Sequence, residues 1–501
     1  METLVDMLPT QVRGAWLALL VIGFCSILLY LSESYVKTHK RYGLRYCEFQ
    51  DRNGIQVTVA QVRWYSTCLN RVFLKVGQWK PALTRVWFTA GVWFGIAAML
   101  SSIALLIWTL IKSFSVEKKE RVLTPVMPGV NLPLNQIVYY FAVLFISGVF
   151  HEFGHAMAAV REQVRVNGFG IFLLAIYPGA FVDLHTDQLN AVSPIRQLRI
   201  YCAGIWHNFV LVLAGIFVML TLPALLSPLY VTGSGVVLTD VIKNSPVFGK
   251  HGLQSGDFVN ALNGCPVNSI EDWSRCMGAI VYYPPPGYCM PVGKLQQMSH
   301  TVPLYVGYGG HLECCNNTSA SDLCFSYEIV SDSENQEKSH SCVEARPVTE
   351  QPRCQKNSDC LAARRTVCIH PFLDKNTKLI KIMKSRGKSV LYVGDPYLFG
   401  HSVSVSNYIP KYSYLPISLP DIIDLFCRYL ISLSGALAIL NAVPCFALDG
   451  QYILTAFIEF SLKTVLPNRE DRESVQSLTL IFGTILLAAN ILLALYTLFV
   501  S

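Results

Sequence analysis

His151-Glu152-Phe153-Gly154-His155 is an H-E-x-x-H string set in apolar sequence. On a helix, residues four apart share a face, so both imidazoles can reach one metal ion. Glu152 points about 100° away around the helix and can act as a base toward a metal-held water. This spacing suits hydrolysis by a zinc-activated water, at a zinc with three protein ligands and one open position. Residues 137–150 before the motif and 156–160 after it carry no charge. A glutamate between two histidines is costly to hold in hydrocarbon, so such a trio marks a functional site.

The third ligand must come from another part of the chain. Three candidates lie in or near apolar runs: His207, the string Asp183-Leu184-His185-Thr186-Asp187, and Asp449. Asp449 follows Pro444, which breaks a helix, and precedes Gly450, which lets the backbone turn. An acid on unwound backbone at membrane depth persists only where protein buries it or a cavity receives it. Asp449 therefore has the profile of a ligand.

The elements that must position these groups are membrane spans. The chain of 501 residues is 52% hydrophobic and 15% charged, against about a quarter charged in a soluble domain. Six runs approach or exceed the roughly 20 residues that cross a bilayer: 14–31, 86–111, 135–160, 198–226, 422–443 and 477–500. The fifth carries Asp424 and Arg428 in its first turns. Residues 169–182 are apolar but short and hold Pro178-Gly179, so a re-entrant or interfacial segment is expected there. Glu2 and Asp6 spoil a basic leader, so the first run is expected to be a retained anchor. His151 lies roughly 22 Å along the helix axis from Gln136 and roughly 15 Å from Arg161, which places the motif below the surface.

Net charge is +7, and residues 33–85 hold ten Lys/Arg against Glu33, Glu48 and Asp51. Between two spans this reads as a loop at cytoplasmic headgroups rather than a nucleic-acid surface. Ten of the 16 cysteines fall between Cys265 and Cys368, beside overlapping sequons at Asn316 and Asn317. Cysteines and a glycosylation acceptor together indicate an oxidising lumen. With 33–85 in the cytosol, alternating sides put 227–421 in the lumen, so the two cues agree.

In that polar region, residues 235–238 and 258–262 read as strands, the second ending at a hairpin signal, Asn263-Gly264. The succession Ser245-Pro246, Gly252-Leu253, Gly256-Asp257 and Leu262-Asn263-Gly264 resembles a PDZ domain as far as Trp273. Segments 378–383 and 389–393 are expected to supply further strands after a cysteine-rich insertion. Such a domain can take up an extended peptide as an added strand.

His151 to His155 on one span and Asn441…Leu448-Asp449-Gly450 on a later one, with a lumenal region between, resemble the site-2 protease family of intramembrane zinc metalloproteases. The animal members, with a cysteine-rich lumenal insertion, are most alike. The resemblance implies that His151, His155 and Asp449 bind Zn2+ and that Glu152 is the general base. Gly204 and Asn208 match a further family pattern, although its proline after the glycine is absent here. Gly204 permits close helix approach, and the Asn208 amide can donate to the oxyanion of a tetrahedral intermediate.

The expected fold is a polytopic α-helical membrane protein of about six transmembrane helices, with a lumenal PDZ-like α+β domain carrying a cysteine-rich insertion. Its parts are the N-terminal helices and basic loop (1–134), a first membrane core (135–226), the lumenal domain (227–421), and a second core with the C-terminal helix (422–501). The resemblance implies substrates among membrane-anchored transcription factors, such as sterol regulatory element-binding proteins, cut first on the lumenal side. It also implies a Golgi or endoplasmic reticulum membrane, and roles in cholesterol metabolism and the unfolded protein response. The partners are then a substrate transmembrane helix and the lipid bilayer, with no nucleic acid. A protease of prenylated proteins would leave Leu448-Asp449-Gly450 without a role, and a non-enzymatic adaptor with a structural zinc has no use for Glu152.

Overall fold

The computed structural model describes residues 10–39, 41–58, 60–113, 136–249, 252–307, 312–316, 321–330, 336–360, 366–385 and 387–500. The chain divides into two compact units, Met1–Leu220 with Asp424–Ser501, and Thr221–Ile423.

The first unit is built on long apolar helices. Its elements in chain order are α1 (Thr10–Thr38), α2 (Gly43–Asn53), β1 (Ile55–Thr58), β2 (Gln61–Ser66), α3 (Asn70–Gly77), α4 (Pro81–Ser113), α5 (Ile137–Arg161), β3 (Val166–Leu174), β4 (Tyr177–Leu184), α6 (Pro194–Leu226), α7 (Leu419–Ala442), α8 (Asp449–Ser461) and α9 (Arg469–Val500). The C-terminal end of α6 and the start of α7 belong to the second unit. Among the described residues, five helices are long and apolar enough to cross a membrane: α4, α5, α6, α7 and Arg469–Tyr496 of α9. The run 14–31 lies within α1 and is also helical. Asp424, in the run that carries charge, pairs with Arg428 one turn on at 2.6 Å, so each charge has a partner.

The buried side of α5 is a stripe of Tyr140, Val143, Ser147, His151, Gly154 and Ala158, stepping three or four residues at a time. That spacing is one face of a helix, and the histidines belong to it. Polar groups fix the helices against one another. Ser147 and Ser434 hydroxyls meet at 2.7 Å between α5 and α7, and Thr109 of α4 donates to Asn490 of α9 at 2.7 Å. Past the end of α5, the buried Glu162 carboxylate accepts from Arg196 at 2.9 Å and Arg199 at 3.3 Å on α6. Arg199 also donates to Thr89 of α4 at 3.1 Å. Helix α5 is thus locked in register at one end.

Residues 169–182, expected to be re-entrant or interfacial, are most of the β3–β4 hairpin. The basic segment 33–85 between the first two apolar runs contributes α2, α3 and the β1–β2 hairpin. The four strands form one antiparallel sheet in the order β1-β2-β3-β4. One face packs on α5 through Phe169, Ile171, Ala180 and Val182. On β3 and β4, the rings of Tyr65, Phe181 and Phe172 occupy the space that a Cβ would need at Gly168, Gly170 and Gly179. With apolar and aromatic side chains on both faces, the strands carry no apolar–polar alternation, and an apolar run of that kind cannot be told from a buried helical segment.

The second unit is rich in sheet. Strands β5 (Val236–Val241), β6 (Phe258–Leu262), β7 (Lys378–Lys384), β8 (Val390–Gly394) and β9 (Val403–Ser406) lie in the order β8-β7-β6-β5-β9, with Cys265–Pro266 paired to β6. Asn263 and Gly264 both have positive φ, 44° and 68°, as the tight turn between β6 and its short partner requires. The core is Val236, Leu238, Val259, Leu262, Ile380, Ile382 and Trp273 of the helix Ile270–Tyr282. A second, five-stranded sheet is formed between residues 287 and 371. All ten cysteines of this region are paired: Cys265–Cys276, Cys289–Cys360, Cys314–Cys324, Cys315–Cys342 and Cys354–Cys368. Asn316 is exposed directly after a strand, whereas Asn317 lies outside the described residues.

Candidate active site

His151 and His155 sit one turn apart on α5, with ring centroids 4.8 Å apart and planes at 74°. His155 Nδ1 is 2.8 Å from the Ile200 carbonyl of α6. A carbonyl only accepts, so Nδ1 carries a proton and Nε2 is the nitrogen left to face a metal.

The third group arrives on a broken helix. Helix α7 stops at Ala442, residues 443–448 are unwound around Pro444, and Asp449 is the first residue of α8. A carboxylate is favoured there by the positive end of the helix dipole. Gly450 does not supply the turn that was expected of it. It is helical, and its lack of a Cβ lets the Val443 carbonyl press against it. The turn is made by Ala447, with φ 70°.

Three donor atoms converge. Asp449 Oδ2 is 2.8 Å from His151 Nε2 and 3.2 Å from His155 Nε2, and the two Nε2 atoms are 3.1 Å apart. Two imidazoles and a carboxylate facing one point, with both histidines buried, are a donor set that zinc accepts. Lone pairs so close together repel unless a cation lies among them, so the residues fit a metal. Gly204 is needed for this packing, because a Cβ on it would collide with both Nε2 atoms. At Gly154 a Cβ would lie 2.7 Å from the Ala203 carbonyl oxygen and from His207. Both glycines therefore let α5 and α6 approach.

Asn208 touches the same cluster. Its amide is 3.2 Å from His151 Nδ1, and the other end of the amide is buried without a partner. If His151 Nε2 faces a metal, its Nδ1 bears the proton and needs an acceptor. A half-turn of the amide satisfies this requirement. Oδ1 then accepts from His151, and the NH2 takes the position that has no partner.

Glu152 is directed elsewhere. Its carboxylate accepts from the Val182 N–H of β4 at 3.0 Å, so the sheet holds it beside the ligand cluster but not in it. His207 is buried with Nδ1 2.8 Å from the Ala203 carbonyl, against Trp87 and Phe88. Asp183 faces Tyr65 on the sheet, and His185 precedes a short helix, Thr186–Ala191. None of these joins His151, His155 and Asp449. Among the described residues, the other group close enough for a metal, Cys289, Cys354 and Cys360, is already engaged in disulfides.

The Ile200 carbonyl and the Val182 N–H are backbone groups with no signature in sequence. Gln451, the third residue of α8, reaches back past the N-cap Leu448 and accepts from the Ala447 N–H at 3.2 Å, a bond whose register depends on where the helix starts.

Residues 139–486 match peptidase family M50. The chain is 26% identical over 472 residues to a membrane-bound transcription factor site-2 protease homolog of Arabidopsis thaliana, covering 83% of this chain and 88% of that protein. It is also 34% identical over 126 residues to an uncharacterized protein of Methanocaldococcus jannaschii, covering 25% of this chain and 31% of that one.

Proposed function

The chain belongs to peptidase family M50, the site-2 protease family of intramembrane metalloproteases, and from that membership we propose that it is a zinc endopeptidase cutting transmembrane helices of membrane-anchored transcription factor precursors. The observation that carries this reading is the convergence of His151, His155 and Asp449 on one point, with Glu152 one residue from the first ligand. His151, His155 and Asp449 would hold the ion. Bound zinc supplies Lewis-acid activation of water and of the scissile carbonyl. Glu152 takes a proton from the attacking water and passes it to the leaving amine. The Val182 N–H fixes which way that carboxylate faces. Asn208, once its oxygen is committed to His151, offers its NH2 to the developing oxyanion.

A helical substrate hides its carbonyls in its own hydrogen bonds, so it must unwind before attack. Strand β4 is the outer strand of its sheet and runs beside Glu152. An unwound segment can pair with such an edge through its backbone, which would place its carbonyls near the base.

The family resemblance favours sterol regulatory element-binding proteins and similar precursors as substrates, in Golgi or endoplasmic reticulum membranes. The PDZ-like domain, with Asn316 or Asn317 glycosylated, would then be lumenal and act as a size filter that turns away substrates not yet trimmed. Reconstitution in liposomes with a full-length and a lumenally trimmed single-span substrate tests this. About one zinc per chain, cleavage abolished by chelation and restored by zinc, and preference for the trimmed substrate are expected. Cleavage unaffected by zinc removal would overturn the metalloprotease reading, and equal rates on both substrates would overturn the filter.

A further inference from the structure

The segment that delivers Asp449 lies unwound between two helices of the unit that carries helices long and apolar enough to cross a membrane. Its backbone N–H groups cannot turn to water in such a place, and each one left unsatisfied costs several kcal/mol in hydrocarbon. Two side chains meet this need. The Phe446 N–H donates to Thr484 Oγ1 of α9 at 3.2 Å, and the Ala447 N–H donates to Gln451 Oε1 at 3.2 Å. The Thr484 hydroxyl spends its own proton on the Leu480 carbonyl at 2.7 Å, which leaves the oxygen free to accept. The Phe446 and Ile485 side chains face outward, 50% and 63% exposed, so without Thr484 the Phe446 N–H would be left toward lipid.

Sterics complete the mould. A Cβ on Gly483 would strike the Pro444 carbonyl, so α9 rests directly on the unwound backbone. Val443, Cys445 and Leu448 pack with Leu106 of α4 and with Leu486 and Leu487 of α9. Asn490 donates to the Leu106 carbonyl at 3.1 Å, tying α9 to α4 one turn further along. The segment is therefore gripped on both sides, and Ala447 can be held at φ 70°, which a non-glycine residue adopts only when its surroundings impose it.

We infer that Thr484 and Gln451 are positioning residues for Asp449, acting through the backbone of residues 443–448 and not by touching metal or substrate. The C-terminal helix α9 thereby becomes part of the metal site although it contributes no ligand. The assignment rests on the metal reading given above. It requires that removing either acceptor loosens Asp449 while leaving the histidines in place, because these are held separately by Ile200 and Asn208.

The test is a chelator titration of the full-length protein, following zinc release from wild type, Thr484→Val, Thr484→Ser, Gln451→Leu and Asp449→Asn. Val keeps the shape of Thr but removes the acceptor, and Ser restores it. Partners that orient a metal ligand typically contribute 10- to 100-fold in affinity, so Thr484→Val and Gln451→Leu should release zinc at roughly 10- to 100-fold lower chelator concentration. Thr484→Ser should behave as wild type. A purely structural defect would lower the melting temperature without this separation between Val and Ser. Gln451→Leu provides an independent reading should Thr484→Val fail to fold. Wild-type zinc retention in Thr484→Val and Gln451→Leu, beside loss in Asp449→Asn, overturns the positioning role and leaves Asp449 a ligand. Wild-type retention in Asp449→Asn overturns both.

Discussion

Replacing Glu152 by Gln is expected to abolish cleavage while zinc remains bound at wild-type stoichiometry. The three converging donors are His151, His155 and Asp449, and Glu152 is engaged with the Val182 N–H on another side of α5. Gln can keep that hydrogen bond through its amide oxygen, so the fold and the ligand geometry should persist. What it cannot do is accept a proton from water. General acid–base catalysis contributes about 10²- to 10⁴-fold, and Glu152 is asked to act in both directions. Product formation should therefore fall by at least about a hundredfold, read as the rate of fragment release in liposomes beside metal analysis of the same sample. Loss of zinc in Glu152→Gln would move this residue into the ligand set.

Asp449→Asn is expected to lose both zinc and activity. The amide keeps the volume and one lone-pair oxygen but removes the negative charge that lies 2.8 Å from His151 Nε2 and 3.2 Å from His155 Nε2. Zinc affinity should drop by more than the roughly 10- to 100-fold that outer-shell partners contribute. His207→Ala is the informative companion. His207 is buried against Trp87 and Phe88 with its Nδ1 on the Ala203 carbonyl, so its loss opens a cavity between α4 and α6 but should leave zinc bound. Zinc retained in Asp449→Asn and lost in His207→Ala would transfer the ligand role to α6.

The parts of the site that were legible are those with a fixed offset in the chain. An offset of four between two histidines defines a helical face whatever surrounds them, and an acid just past a proline at membrane depth has few other uses. The long apolar helices were legible because their runs are unbroken over the length that hydrocarbon demands of a span. The β3–β4 hairpin was not, since apolar and aromatic residues lie on both of its faces and its run shows no period of two. Gly450 was assigned a turn that Ala447 makes, because a left-handed alanine is held by contacts from α9 and Gln451 that are remote in sequence or invisible in composition. Asn208 could be placed on the right helix from its spacing to Gly204. That its amide meets His151 at 3.2 Å depends on how closely α5 and α6 approach, and this distance is set by Gly154 and Gly204 against groups of the opposite helix.

The most direct measurement is the position of the bond that is cut. A reconstituted single-span substrate, trimmed on its lumenal side and incubated with zinc-loaded protein, yields fragments whose masses locate the scissile bond to the residue. A site built at His151 and Asp449, with His151 roughly 15 Å along α5 from Arg161, should cut within the apolar span of the substrate, and the fragments should be absent with Glu152→Gln. Cleavage outside the span, or the same fragments from Glu152→Gln, would contradict an intramembrane zinc protease centred on these residues.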